Sequence, residues 1–204
     1  MNLGQMMLVV ATLAILGLVT LSANRTILQS NQTQNNSEFG VTAVSLATSV
    51  VEEAMGTMFD AAIGDTNVGA VDTVSKLTAP GSLGHSAIES YRKSVSGTKD
   101  FNDFDDFNNL FLVYKSSNPA DTARTAGSDY EFIVPGIRNK YFVRVIVSYV
   151  NIGALNGVSA VRTWHKKMMV TVTSPFPHIG SAAQQLQDSL ANTLVFPAVM
   201  SYWN

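Results

Sequence analysis

This chain is predicted to be an α+β protein. A long N-terminal α-helix, apolar in its first half and amphipathic in its second, packs on a C-terminal antiparallel β-sheet head. Three observations lead there. Residues 1–24 carry no charged side chain, and Met6 to Leu21 is an apolar run. Apolar residues then recur at three- and four-residue steps from Val41 to Ala62, the spacing of a helix stripe. Beyond residue 110 apolar and polar residues alternate in short runs, the two-residue period of half-buried strands.

The apolar run comes first. A helix rises about 1.5 Å per residue, so roughly 20 residues cross the roughly 30 Å hydrocarbon layer of a bilayer. A secretory signal peptide fits poorly. It needs a positive start and a shorter apolar stretch, and Leu21-Ser22-Ala23 is a weak cleavage match. A simple anchor fits the length but would end near residue 25. Here Asn24 to Glu38 is polar with neither Pro nor Gly, and the stripe Val41, Val44, Thr48, Val51, Met55, Met58 and Ala62 follows, flanked by Glu52 and Glu53. Gly64-Asp65 reads as the stop. A helix from Met1 to about Ile63 would be about 90 Å long. Its weakest formers are Asn35-Asn36-Ser37 and Gly40. The chain therefore divides into an apolar membrane or filament-core helix (1–24), an amphipathic continuation (25–63) and a β-rich head (64–204).

In the head, residues 64–109 are rich in turn formers. Strands are predicted at Leu110–Tyr114, Tyr130–Val134, Tyr141–Val150 and Ser159–Thr173. Tyr141, Val143, Val145, Val147 and Tyr149 share one face of the third strand. Trp164, Met168, Val170 and Val172 share one face of the fourth, where Lys166 is the exception. The Gly- and Asn-bearing segment Asn151–Gly157 predicts an antiparallel hairpin with a long loop. Ser181–Leu190 reads as a short helix or a surface crossing. Leu194, Phe196, Val199, Tyr202 and Trp203 are too apolar for a free tail and should pack on this head or a neighbour's.

Composition excludes several functions. The chain has 204 residues, 46% of them hydrophobic, enough for a real core. Only 14% are charged, a surface sparse enough to be covered in an assembly. The net charge of −2 gives no electrostatic footprint for nucleic acid. Without cysteine there is no disulfide scaffold and no thiol chemistry. His85, His165 and His178 lack zinc spacing, and no nucleophile elbow, phosphate loop or dinucleotide fingerprint occurs. Glu52 and Glu53 point about 100° apart on a helix, so they do not make an acid–base pair. The chain is read as non-enzymatic.

The one acidic concentration is Asp100 to Asn109. Its Asp103, Asp105 and Asp106 are hard oxygen ligands close in sequence, which suits Ca²⁺, though not at EF-hand spacing. The competing reading is a loop anchored by Phe101, Phe104 and Phe107, with Asp and Asn making the turns. Asn24, Asn31 and Asn35 each begin an Asn-x-Ser/Thr triplet on the polar belt and are glycosylation candidates.

An apolar rod, a continuation containing Ala47-Thr48-Ser49-Val50-Val51-Glu52-Glu53-Ala54, and a β-rich head together resemble the type IV pilins and pseudopilins. The likeness spans the whole chain, but in architecture more than in signature residues. Counted from Met1, Gln5 stands where the family usually has Glu, Met1 where it has Phe, and Ser22 near its common Pro. The resemblance implies rods bundled at a filament centre with heads outward. Leu8, Leu13, Leu16 and Gly17 would face neighbouring rods, and Gln5 would lie near a neighbour's N-terminus. Arg25 and Glu38, the charges of the first 51 residues, would pair between subunits. Some family members also bind calcium in a head loop. The implied partners are copies of this chain, the inner membrane before assembly, and the pilus assembly machinery, with the filament at the cell surface. Two alternatives stand beside this one: a pseudopilin of a secretion or DNA-uptake system, and a single-pass membrane-anchored binding module.

Overall fold

The computed structural model describes residues 2–64, 73–93, 95–116, 128–137, 139–174 and 192–202. It has the expected α+β architecture, a long N-terminal helix packed on a five-stranded, mostly antiparallel sheet. Helix α1 spans Leu3–Met55. The chain divides into two compact units, Met1–Val41 and Thr42–Asn204, and α1 contributes to both.

In the first unit every described side chain from Asn2 to Ser37 is exposed. The helix interior still satisfies its own polar groups. Thr12 Oγ1 donates to the carbonyls of Val9 (2.9 Å) and Leu8 (3.1 Å), Thr20 to Leu16 (2.8 Å) and Thr26 to Ser22 (3.0 Å). Thr33 and Ser37 repeat the contact to Gln29 and Thr33. Such back-bonding lets a short hydroxyl side chain sit in a helix without an unpaired donor.

In the second unit the buried face of α1 is not the expected one. Ala43, Ala47, Val50, Val51 and Ala54 are buried, whereas Val44 is 44% exposed and Val41, the last residue of the first unit, 74%. Val51 is the one residue shared with the predicted stripe. The face that carries Ala43, Ala47 and Ala54, each fully buried, is covered in place of the one that carries the larger residues. Ala47→Leu is therefore expected to lower stability by about 1–3 kcal/mol through overpacking. Urea denaturation of the purified protein would read this, and an unchanged midpoint would refute close packing at Ala47.

The helix also ends eight residues earlier than expected. The Gly56 amide donates to the Glu52 and Glu53 carbonyls, and the Thr57 amide and hydroxyl both donate to Ala54 O, closing the last turn. Met58 then exchanges backbone hydrogen bonds with the Asn102–Phe104 segment. A separate single-turn helix, α2, follows at Ala61–Gly64.

Five strands form the sheet: β1 Phe111–Lys115, β2 Tyr130–Ile133, β3 Tyr141–Tyr149, β4 His165–Thr173 and β5 Thr193–Ser201, in the order β2-β1-β3-β4-β5. The β3–β4 and β4–β5 pairs are antiparallel, as is β1–β3. The β1–β2 pair is parallel, which departs from a wholly antiparallel head. The fourth strand starts at His165 rather than Ser159. Before it, Ser159 N–H bonds Tyr149 O, and the Thr163 hydroxyl bridges the Val150 and His165 carbonyls, holding a turn instead of a ladder. The C-terminal apolar residues do pack on this head, as edge strand β5, where Pro197 is tolerated. Trp203 and the Ser181–Leu190 segment lie outside the described residues.

Register stacks the inward residues in rows across the sheet. Leu112, Val143, Val172 and Leu194 form one row, and Val145, Val170 and Phe196 the next. Val147, Met168 and Ala198 form a third, and Tyr149, Lys166 and Met200 a fourth. A lysine thus occupies a core position of an otherwise apolar face.

Candidate assembly surface and a buried lysine cluster

The residues expected to mediate assembly all lie on α1. Leu8, Leu13 and Leu16 are each more than 60% exposed, and Gly17 has open space where a Cβ would stand. Gln5 is in the first turn, its amide bonded to Asn2 O at 2.8 Å. Arg25 and Glu38 lie farther along the same helix. The helix is long and apolar enough to cross a membrane by length and composition, and none of its most apolar window is buried within the chain. Asn24, Asn31 and Asn35 sit exposed on helical backbone.

The lower end of α1 is tied to the head by a second set of groups. Glu53 receives the Tyr91 hydroxyl at 2.9 Å and Arg92 Nη2 at 2.6 Å. Arg92 holds a left-handed backbone (φ 52°) and lies 4.9 Å from the centre of the Tyr91 ring, so its side chain is positioned from both ends.

The acidic segment forms the other site. Residues Phe104–Phe107 make a 3-10 turn whose N-terminus is closed by a capping box. Asp103 Oδ1 accepts from the Asp105 and Asp106 amides, and Asp106 Oδ2 from the Asn102 and Asp103 amides. Asp103 Oδ2 takes the Ala61 amide at 2.7 Å, linking the turn to α2. Asp105 faces Lys166, whose Nζ lies 2.5 Å from Asp105 Oδ1, 2.8 Å from Asp60 Oδ2 and 2.7 Å from Phe59 O. All three donors of the ammonium are thereby used. Asp60 additionally accepts from the Thr78 amide and hydroxyl and from the Ala62 amide. The Tyr149 hydroxyl donates to Thr78 O at 2.8 Å and touches Asp60.

This arrangement replaces the calcium expectation at Asp103, Asp105 and Asp106. Lysine and backbone amides take the oxygens a cation would need. Among the described residues no group of three or more His, Cys, Asp or Glu is placed to hold a metal ion. The anchored-loop alternative holds in part: Phe104 and Phe107 are fully buried and Phe101 nearly so, but the carboxylates are buried with them rather than solvated. Sequence reading missed Asp60 and Tyr149 as members of the cluster. The one available signal was Lys166 itself, at an inward register.

Burial and charge act on these carboxyls in opposite directions. Burial would raise Asp60, but the Lys166 charge and the hydrogen bonds from Lys166, Thr78 and Ala62 outweigh it and hold Asp60 below the usual carboxylate range. Burial, then the neighbouring Asp105 and Asp106 charges, pushes Asp103 up to about 8. Burial also raises Asp105, against the pull of Lys166, and Asp106. A carboxyl with a raised folded value binds its proton more tightly folded than unfolded. Its stabilising effect is complete below about pH 4 and is lost as pH rises through the folded value. Asp60 has the opposite sign and loses its contribution as pH falls below about 4. Denaturation midpoints should therefore fall between about pH 4 and about pH 8, and Asp103→Asn should flatten that slope. A midpoint that rises over this interval would refute the assignment.

No protein-family model, curated protein or solved structure matches this chain.

Proposed function

We propose that this chain is the structural subunit of an extracellular, type IV pilus-like helical filament, held in a membrane by α1 before assembly and polymerising through the same helix. The observation that carries the reading is a single uninterrupted helix, Leu3–Met55, whose apolar first half is wholly unburied within one chain. Burying an apolar side chain is worth about 1.5–3 kcal/mol, so such a surface demands a cover. Lipid supplies it before assembly, and neighbouring copies supply it afterwards. Gly4, Ala11, Ala14 and Gly17 would let those neighbours approach closely. An anchored monomeric module would instead need a linker near residue 25, where the backbone is helical.

Electron microscopy of material sheared from the cell surface, with mass spectrometry of the filament band, tests the reading. This chain should be the main component of a regular filament, and its absence from every such filament rejects the proposal. Arg25→Glu places a second negative charge among subunits that already carry Glu38, and filament yield should drop several-fold. Yield equal to wild type would remove Arg25 from the assembly contact.

A further inference from the structure

The Lys166 cluster is arranged for a covalent reaction as well as an ion pair. Lys166 and Asp60 are fully buried and Asp105 nearly so. The Phe59 and Tyr149 rings flank the ammonium, 4.6 and 5.4 Å from its nitrogen. One ammonium contacts two carboxylates directly, with Asp103 hydrogen-bonded to the second. Charges in such dry surroundings are costly, and neutralising a pair by proton transfer relieves the cost. That transfer produces the two species that condense, a free amine and an undissociated acid. With Nζ at 2.5 Å from Asp105 Oδ1, the nitrogen is already held in contact with the carboxyl it would attack, as a near-attack arrangement requires.

We propose that Lys166 and Asp105 condense to an intramolecular isopeptide bond that joins β4 to the Phe104–Phe107 turn. The Lys166 ammonium first gives a proton to Asp105. The amine then attacks the Asp105 carboxyl carbon, forming the C–N bond. The Asp60 carboxylate takes a proton from that nitrogen and returns it to the departing hydroxyl. The C–O bond breaks and one water leaves. The balance is one ammonium and one carboxylate converted to one amide and one water, with Asp60 unchanged and no other reactant required.

Asp105 is the acceptor carbon because of how the two carboxylates are held. Asp60 keeps the Thr78 and Ala62 donors whether or not Lys166 is charged, so its anion survives loss of the ammonium. The Asp105 carboxylate relies on Lys166 and the neighbouring Asp103 carboxyl. In the product, the amide N–H points to Asp60 and the new carbonyl accepts from Asp103.

Tryptic mapping of the denatured full-length protein, purified in detergent, tests the bond. Trypsin does not cleave after an acylated lysine. A linked chain therefore yields one branched peptide joining Asp100–Lys115 to Thr163–Lys167, lighter than the two linear peptides together by one water. Linear peptides with cleavage after Lys166 overturn the proposal, and so does a branch to Asp60 within Thr26–Lys76. Whichever of Asp60→Asn and Asp60→Ser gives a folded chain should lower the branched fraction at least ten-fold. Undiminished linking there would overturn the role given to Asp60.

Discussion

Lys166→Met is expected to destabilise the head by about 3–5 kcal/mol, the usual cost of leaving a buried charge without its partner. Methionine nearly matches the lysine stem in volume, so packing changes little. What is lost is an ammonium that contacts Asp60, Asp105 and Phe59 O, and two carboxylates are left facing each other in a dry pocket. Adding Asp60→Asn and Asp105→Asn to the same chain should recover most of the loss, because the stranded charges are then gone. Denaturant midpoints of the single and triple variants measure this. A single variant as stable as wild type would mean that the cluster is solvated. With Lys166 and Asp105 joined as proposed above, the single variant would also lose the cross-link, and the triple variant, which lacks it too, would stay below wild type.

Leu13→Asp should act on assembly and leave the head alone. Leu13 lies near the middle of the apolar run, is 62% exposed, and belongs to the Met1–Val41 unit. An aspartate at the centre of a membrane helix costs about 2.5–3.5 kcal/mol on insertion scales, and a bundle of apolar rods offers it no better partner. The variant should lose roughly two orders of magnitude in membrane partition and form no filaments. Its head should unfold at the wild-type midpoint. Cell fractionation, microscopy and denaturation read the three effects separately. Filaments at wild-type abundance would remove residue 13 from the polymer core.

The parts of the fold that were legible are those in which one period dominates. The β3 face Tyr141 to Tyr149 alternates strictly, and the apolar run before Leu21 leaves little alternative to a helix. Residues 41–55 misled because two apolar stripes coexist on one helix, and beyond Met55 the apparent stripe continued past the helix end. The larger stripe attracted the burial assignment, but the face with Ala43, Ala47 and Ala54 is the buried one. Strand β5 was hidden by Pro197, which breaks a central strand but not an edge. The parallel β1–β2 pair is a matter of long-range topology, to which local periodicity is blind. In the site, the aspartates were visible as a concentration, but their partner lay about sixty residues away in Lys166. Only register could bring it there. An oddly placed lysine on an apolar strand face is a better pointer to a buried charge than the acidic run was to a metal.

The hydroxyls of Thr12, Thr20 and Thr26 have a kinetic consequence. Each carries its acceptor with it on the preceding turn, so these three hydroxyls owe no hydrogen bond to their surroundings. In the assembly we propose, moving such a rod from hydrocarbon into a bundle of its own kind would exchange one oily medium for another without breaking these hydroxyl contacts. In the filament we propose, the barrier to leaving the bilayer would then be set by the polar belt beyond residue 24 and by the head rather than by these turns.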